Sequence, residues 1–207
     1  MSRREQEREF KKKLIADAAF QLFTANSYET VTMDDIARAS EFGKGTLYQY
    51  FSGKEEILFH IVYKGIEQLL YTLEQNCLDI KNAEEALRHY IRLQYEFNRN
   101  YNNLFLSLLK RQLEDQLNPE WFAAIRQLKQ KKSQIVSYIL AEGMQKGVFM
   151  PADPLILARI IDALVKGWTI EGLENTAAGR QKDEELAAII DFILYGIAAR
   201  IEKPLIS

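Results

Sequence analysis

The chain has 207 residues, of which 47% are hydrophobic and 27% are charged, and its formal net charge is −2. This length suits one or two domains with a sizeable core, and the balanced charge excludes a protein that binds polyanions over its whole surface. The single cysteine, Cys77, excludes an internal disulfide and a cysteine-rich metal site, which favours a reducing compartment. Neither a signal peptide nor a membrane-spanning run is present in the sequence, so we expect a cytoplasmic protein without membrane contacts.

The N-terminal third of the chain has the pattern of four helices. Apolar residues recur every three or four positions in the first, in one broad stripe formed by Phe10, Leu14, Ala18 and Leu22 with Ile15, Ala19 and Phe23 alongside. "TVTMDDIARAS" then opens a short second helix, in which Thr32 and Asp35 have the spacing of a capping box. A third short helix is expected from about Lys44 to Phe51, and a long fourth helix begins near Lys54.

Helical periodicity continues through the rest of the sequence. We expect helices near 83–99, 101–116, 120–146, 153–175 and 183–202, with Asn118 capping a helix that starts at Pro119. The segment 146–154 is the clearest loop, because glycine and two prolines punctuate it. No alternating strand of useful length is present, and the fold class is therefore all-α.

Two short helices separated by a break of a few residues have the spacing of a helix-turn-helix, whose second helix lies in the major groove of DNA. The segment from Glu41 to Ile57 reads "EFGKGTLYQYFSGKEEI". Leu47 and Phe51 are four residues apart and should face the first helix, which leaves the polar residues of this segment available to DNA. In this arrangement a lysine meets a phosphate, a glutamine reads adenine, a threonine hydroxyl donates to a base, and tyrosine hydroxyls position the backbone. The candidates in those roles are Lys44, Gln49, Thr46, Tyr48 and Tyr50, with Gly45 allowing close approach of the backbone.

The stretches "TMDDIARA" and "GKGTLYQYFSGKEEI", with the amphipathic helix before them, resemble the DNA-binding domain of the TetR/AcrR family of bacterial transcription regulators. The resemblance implies an N-terminal three-helix DNA-binding domain at 1–53 and a C-terminal helical bundle at 54–207 that binds an effector and forms the dimer. It implies phosphate contacts by Thr32, Lys44, Tyr48, Tyr50 and Lys54, base contacts by Thr46 and Gln49, and a position near the DNA backbone for Met33. The sequence departs from the family pattern at Glu41, where glycine is usual, and at Gly43, where serine or threonine is usual.

Other interpretations of the same residues compete with these. Tyr48 and Tyr50 could pack between helices instead of contacting DNA. His60 and His89 are isolated in the sequence, so surface or core positions are favoured over a metal site, and no catalytic constellation is present. We expect no enzyme activity, no cofactor and no metal.

The leading hypothesis is therefore a ligand-responsive regulator, most simply a repressor that a small, largely hydrophobic effector releases from double-stranded operator DNA. The alternative is a helical small-molecule sensor whose helix-turn-helix serves packing or protein contact. The exposure of Lys44, Thr46, Gln49 and Lys54 discriminates between them, because packing alone does not require polar residues there.

The last two helices are apolar over more than one stripe, which predicts a symmetric homodimer with a four-helix interface. The predicted interface consists of Leu157, Ile160, Ile161, Leu164, Trp168, Ile189, Ile190, Ile193, Leu194 and Ile197.

Aromatic residues between about Ile61 and Leu173 exceed what packing requires and predict an apolar effector pocket inside the bundle. Any one of the candidates can be a core residue instead of a pocket residue, so we treat them together as an aromatic pool. They are Tyr63, Tyr90, Phe97, Tyr101, Phe105, Trp121, Phe122, Tyr138 and Trp168. A polar head of the effector would be held by Asn98, Arg99 or Asn102. By resemblance to the family, the effector would tilt the helix that starts at Lys54 and change the distance between the two recognition helices of the dimer.

Overall fold

The computed structural model describes residues 2–78, 81–113, 117–174 and 179–198, with side chains described outside 170–182. The expected all-α fold is confirmed. The helices of the described residues are α1 Arg3–Ala25, α2 Met33–Ala39, α3 Lys44–Tyr50, α4 Lys54–Cys77, α5 Ala83–Leu113, α6 Pro119–Gln145, α7 Pro154–Glu174 and α8 Gly179–Ile197. None of these helices combines the length and the apolar content that crossing a membrane requires.

Several helices begin at side-chain caps, which satisfy backbone N–H groups that lack intrahelical partners. The predicted capping box of α2 is present: the Asp35 N–H donates to the Thr32 hydroxyl, and the Thr32 N–H donates to the Asp35 carboxylate. The predicted cap of α6 is present as well, because Asn118 Oδ1 accepts from the Glu120 N–H at 2.9 Å. Local sequence therefore determines where these helices start.

The structure corrects the expected break between helices 83–99 and 101–116. A single helix of 31 residues, α5, runs from Ala83 to Leu113. Buried positions continue at helical spacing from Ile91 through Asn98 and Asn102 to Leu108. Neither glycine nor proline interrupts that run, and core burial favours the helix across the polar stretch in its middle.

The apolar stripe of α1 is also narrower than expected. Ile15, Ala19 and Phe23 are buried, whereas Phe10 is 61% exposed and Leu14 is 40% exposed. The core of α1 thus follows the second of the two adjacent apolar rows. Phe10 and Leu14 lie on the neighbouring, solvent-facing row.

The chain forms two compact units. The first contains Met1–Glu67 and Asn100–Arg126, and the second contains Gln68–Arg99 and Gln127–Ser207. Helices α4, α5 and α6 each run from one unit into the other, so the first unit includes more chain than the predicted domain 1–53. The functional division at 53/54 stays a prediction.

In the first unit, an ionic and aromatic cluster ties the end of α5 to the loop between α1 and α2. The Arg111 guanidinium lies 2.8 Å from Glu29 and 3.5 Å from Glu55, and it stands 5.0 Å from the centre of the Tyr28 ring. The Tyr28 hydroxyl donates to Glu55 at 3.2 Å. Because Arg111 is mostly shielded from solvent, this cluster is less screened than an ordinary surface ion pair.

The close approach of α4 and α5 in the same unit depends on a glycine. A Cβ atom added to Gly65 would lie 2.4 Å from the Tyr101 ring. Tyr101 in turn packs against Phe20 with ring centres 5.3 Å apart. Tyr101 is therefore a bridge between α1 and α4, and part of its surface is used in packing.

Candidate nucleic-acid interface and effector region

Helix α3 presents a polar surface because its apolar residues point inward. Leu47 is fully buried and Phe51, which follows the helix, is 1% exposed, as the sequence predicted. Lys44, Gly45 and Gln49 are exposed, Tyr48 is 49% exposed, and Thr46 and Tyr50 are half-buried. The exposure of Lys44 and Gln49 favours a DNA-facing helix over one used only for packing.

A carboxylate competes for Lys44, the residue expected to meet a phosphate. Asp34, on α2, lies 2.8 Å from the Lys44 ammonium, and both side chains are more than half exposed. This hydrogen bond to Asp34 raises the pKa of Lys44. The sequence alone did not reveal this contact, since residues ten apart on two helices have no local signature.

The structure gives Lys54 contacts that the sequence did not predict. Its ammonium donates to the carbonyl oxygens of Tyr28 at 2.9 Å and Val31 at 2.8 Å, and it stands 4.3 Å from the centre of the Tyr28 ring. Desolvation by these neighbours lowers its pKa. Two of its three N–H donors therefore hold the α1–α2 loop, and the phosphate contact expected of Lys54 stays a prediction.

The hydroxyl of Thr32, another expected phosphate ligand, takes part in the capping box of α2. It donates to Asp35 Oδ2 at 2.6 Å and accepts from the Asp35 N–H at 3.2 Å. The Thr32 hydroxyl and backbone N–H, with Arg38, lower the pKa of Asp35 to about 2. Thr32 is exposed and Met33 beside it is half-buried, so this end of α2 stays accessible while the hydroxyl is already paired.

Basic residues of α1 contact α3 and the residue after it, a feature that the sequence analysis did not predict. Arg8 donates to the Gln49 carbonyl at 3.4 Å, and its guanidinium stands 5.6 Å from the centre of the Tyr50 ring. The Lys12 ammonium stands 5.2 Å from the Phe51 ring. The signal was available, because Arg8 and Lys12 continue the buried row of Ile15 and Ala19 toward the N-terminus at helical spacing.

The turn between α2 and α3 explains why glycine is usual at the position of Glu41. Glu41 has a φ of +60°, in the left-handed region. Its N–H donates to the Arg38 carbonyl at 3.3 Å, and the Phe42 N–H donates to the Ala37 carbonyl at 3.1 Å. These two bonds form a Schellman motif, in which the left-handed residue is ordinarily glycine because a Cβ atom is strained there.

Glu41→Gly is expected to raise the free energy of unfolding by about 0.5–1 kcal/mol, because relief of Cβ strain exceeds the extra entropy of glycine in the unfolded chain. Urea denaturation followed by circular dichroism measures the change. Glu41→Ala is the matched control, since it removes the charge and keeps Cβ. Equal stabilisation by both substitutions would assign the effect to charge and contradict the strain argument.

The aromatic pool proposed for the effector pocket is divided between the two units. Tyr63, Tyr101, Phe105, Trp121 and Phe122 belong to the first, and Tyr90, Phe97, Tyr138 and Trp168 to the second. Trp121 stacks on Phe59 with ring centres 4.8 Å apart. Tyr138 is 54% exposed and Trp168 is 42% exposed, which corrects the expectation that these two line the interior.

Helix α7 exposes a continuous apolar face. The exposed positions recur in pairs every four residues, and Arg159 is the one charged residue among them. They are Leu155, Ile156, Arg159, Ile160, Ala163, Leu164, Gly167 and Trp168. We call these residues the α7 face. The larger aliphatic side chains among them are 41–57% exposed. Such a face is larger than a protomer needs for its own packing.

The dimer interface predicted from sequence is corrected in part. Ile160, Leu164 and Trp168 lie on the α7 face, but the other predicted residues are buried in the protomer: Leu157, Ile161, Ile189, Ile190, Ile193, Leu194 and Ile197. On α8 the exposed large side chains are Phe192 and Tyr195, at 70% and 80%. Both faces of α8 are apolar, so periodicity alone did not identify the inward one.

No group of three or more histidine, cysteine, aspartate or glutamate residues is placed to hold a metal ion in the part of the chain that the structure describes. His60 packs against Phe51 with ring centres 5.3 Å apart, and burial is the main cause that lowers its pKa. His60 is half-buried, which agrees with the surface or core position favoured over a metal site.

Comparison with known proteins identifies the helix-turn-helix. Residues 15–61 match the family model of bacterial regulatory proteins, tetR family. A Bacillus subtilis relative named uncharacterized HTH-type transcriptional regulator YhgD is 29% identical over 76% of this chain and 84% of its own length. The fatty acid metabolism regulator protein of the same organism is 28% identical over 75% of this chain and 82% of its own length.

A solved structure supports the same assignment over most of the chain. The TetR family transcriptional regulator PfmR from Thermus thermophilus is 27% identical, with a TM-score of 0.71, over 87% of this chain and 97% of that one. The matched residues 15–61 include the capped helix α2, the turn at Glu41 and the exposed helix α3. Residues 15–61 thus form a helix-turn-helix domain of the tetR family of bacterial regulatory proteins, and the chain is similar to transcription regulators of that family over most of its length.

Proposed function

We propose that this chain is a homodimeric repressor that a small, largely hydrophobic effector releases from its operator. The observation that carries the proposal is the polarity of α3, where Leu47 is buried while Lys44 and Gln49 are exposed. Helix α3 would enter the major groove, with Gln49 and Thr46 facing bases. Lys44, Tyr48 and Tyr50 would contact phosphates, and Gly45, which has nothing within 4 Å of an added Cβ, would allow close approach of the backbone.

The α7 face supports the homodimer. A second copy of the same chain is the fitting occupant, because a two-fold axis pairs this face with itself and needs no other partner. Phe192 and Tyr195 of α8 would join it in a four-helix interface. The symmetry would present two recognition helices to half-sites spaced by about one DNA turn.

The hydrophobic nature of the effector rests on the aromatic pool and on a relative. The Bacillus subtilis protein named fatty acid metabolism regulator protein aligns with three quarters of this chain, which favours an effector with an apolar chain. Helices α4, α5 and α6 each contribute to both units, so an effector that displaces one of them in the second unit would also move residues of the first. Coupling of about 1–3 kcal/mol between the two sites is enough for a usable switch.

A combined titration tests this function. Candidate hydrophobic compounds are added while tryptophan fluorescence reports binding and fluorescence anisotropy of labelled promoter DNA reports operator affinity. We expect an effector to weaken operator binding about 5–150-fold, and operator DNA to weaken the effector by the same factor, because coupling is reciprocal. Tight effector binding with unchanged operator affinity would refute the switch for that compound, and the absence of salt-sensitive binding to a promoter palindrome would refute the regulator itself.

A further inference from the structure

The N-terminal part of α1, residues 3–14, extends beyond the core of the first unit. We call these residues the α1 arm. The arm precedes the segment 15–61 that matches the family model, so that match assigns it no role. None of its residues is buried, and Ile15 is the first core residue of the helix. Burial of apolar surface therefore does not explain why α1 continues to a capped start at Ser2.

The α1 arm lies beside the last turn of α3. The Arg8 guanidinium donates to the Gln49 carbonyl at 3.4 Å and stands 5.6 Å from the centre of the Tyr50 ring. Gln49 and Tyr50 are the last two residues of α3, and the last turn of that helix has no basic residue of its own. A cation there is favourable because the carbonyl groups at the end of a helix carry partial negative charge. Arg8 thus joins the arm to the end of α3 that carries the predicted base reader.

Basic residues follow one side of the arm. Arg4, Arg8 and Lys12 are spaced by four residues, so they share one side of α1 and continue the row of Ile15 toward the N-terminus. We call these three residues the basic row. The Lys12 ammonium stands 5.2 Å from the centre of the Phe51 ring, whereas Arg4 and Arg8 are exposed. The row therefore starts at the core and becomes accessible toward the N-terminus.

Neighbouring carboxylates do not neutralise the basic row. Residues 3–14 contain six basic and three acidic residues, whereas the whole chain has a net charge of −2. Glu5 accepts from the Ser2 N–H in the capping box, and Glu7 is paired with Lys11 at 2.7 Å. Among the described residues, no carboxylate lies within ion-pairing distance of a member of the basic row. The row offers its positive charge to a partner.

We propose that the α1 arm is a further DNA-contact element, in which Arg4 and Arg8 donate to backbone phosphates beside the groove that α3 enters. This inference rests on the proposed function, because it adds a surface to the same protein–DNA interface. Duplex DNA is the fitting partner, since the basic row is continuous with the exposed side of α3 and opposite in charge to the phosphates.

The two arginines have different tasks in this proposal. Arg8 holds Gln49 and Tyr50, and a guanidinium has five N–H donors, so further donors are left for a phosphate. Arg4 lies one turn, about 6 Å, further toward the N-terminus and would meet a phosphate that α3 itself does not contact. Arg4 is thus a contact residue, and Arg8 is both a contact and a positioning residue.

The test uses the full-length protein and a palindromic duplex that this protein selects from a pool of randomised DNA. Arg4→Gln should weaken binding to all duplexes by about 3–30-fold and reduce the slope of log affinity against log salt by about one per protomer. Its melting temperature should stay unchanged, because Arg4 is exposed. Arg3→Gln is the matched control, since Arg3 is the adjacent exposed residue, carries the same charge and lies off the row. It should change the affinity by less than about twofold.

Uncharged methylphosphonate linkages, placed one at a time along a half-site, identify the phosphate that Arg4 contacts. At that position the linkage should weaken the wild-type protein at least about fivefold more than it weakens Arg4→Gln, because the contact is already lost in the variant. Arg8→Gln should reduce the salt slope and also relax the preference at the base pair that Gln49 reads. Arg8→Lys keeps the charge and should recover the slope.

The outcomes separate this inference from the proposed function. Wild-type affinity and salt slope in Arg4→Gln would overturn it, and so would equal losses in Arg3→Gln and Arg4→Gln with no methylphosphonate position that distinguishes them. Salt-sensitive binding that depends on Lys44 but not on Arg4 would refute this inference alone. Failure of the wild-type protein to select any duplex would refute the regulator and the α1 arm together.

Discussion

Ile160→Glu is expected to convert the proposed dimer into a monomer and to lower the affinity for a palindromic operator by about 10²–10⁴-fold. Ile160 lies in the middle of the α7 face and is 49% exposed in the protomer. In a two-fold interface each substitution occurs twice, and two carboxylates would be buried against an apolar partner without a counter-charge. Two linked half-sites bind more tightly than one because the second contact is intramolecular, and a monomer loses this advantage.

Analytical ultracentrifugation measures the oligomeric state, and anisotropy on palindromic and half-site DNA measures affinity. Ile160→Leu is the matched control and should keep both, since it preserves apolar surface. Ile161→Ala probes the neighbouring inward position, which is 1% exposed, and should instead lower the free energy of unfolding by about 2–5 kcal/mol. A stable Ile160→Glu dimer with wild-type operator affinity would show that the α7 face is not the interface.

The helix-turn-helix was predictable because its signals are local. Thr32 and Asp35, three residues apart, form the capping box of α2. Leu47 and Phe51, four residues apart, are both buried, as their spacing indicated. Each of these contacts joins residues that are close in the sequence, and helical geometry determines which of their side chains meet. The fold class and the exposure of Lys44 and Gln49 follow from the same reasoning.

The sequence did not reveal contacts whose partner is distant in the chain or has no side-chain signature. Lys54 binds carbonyl oxygens 23 and 26 residues earlier, and a backbone acceptor leaves no trace in the sequence. The inward face of α8 could not be chosen by periodicity, because Ile193 is buried while Phe192 beside it is 70% exposed, and both are apolar. Of the buried polar side chains Gln94 and Asn98 on α5, the sequence singled out only Asn98, because the contact that holds Gln94 comes from Lys132 on another helix.

Sequence readout by α3 is expected to depend on Gln49 and overall affinity on Lys44. Gln49→Ala should relax the preference at one base pair of each half-site, at a cost of about 1–3 kcal/mol on the preferred sequence and little on others. A library of operators with single substitutions, measured at fixed salt concentration, tests this. A uniform loss across the library would assign Gln49 to the DNA backbone instead of a base.

Lys44→Met should weaken binding to all sequences similarly and reduce the slope of log affinity against log salt by about one per protomer, because one phosphate contact is lost. Asp34→Asn gives the opposite expectation. Asp34 lies 2.8 Å from the Lys44 ammonium, so its carboxylate competes with the phosphate and its negative charge repels DNA. Removing that charge should strengthen binding to all sequences, with the larger gain at low salt.

The double variant Asp34→Asn with Lys44→Met separates the two effects of Asp34. If Asp34 acts by occupying Lys44, Asp34→Asn should gain less in the Lys44→Met background than in the wild-type protein, and the difference is their coupling energy. If it acts only by long-range repulsion, the gain should be equal in both backgrounds.

Lys54→Met provides the contrast, because the Lys54 ammonium holds the carbonyls of Tyr28 and Val31. Any loss of DNA affinity in this variant should therefore come with a lower melting temperature. Unchanged stability in Lys54→Met together with a reduced salt slope would restore Lys54 as a phosphate ligand.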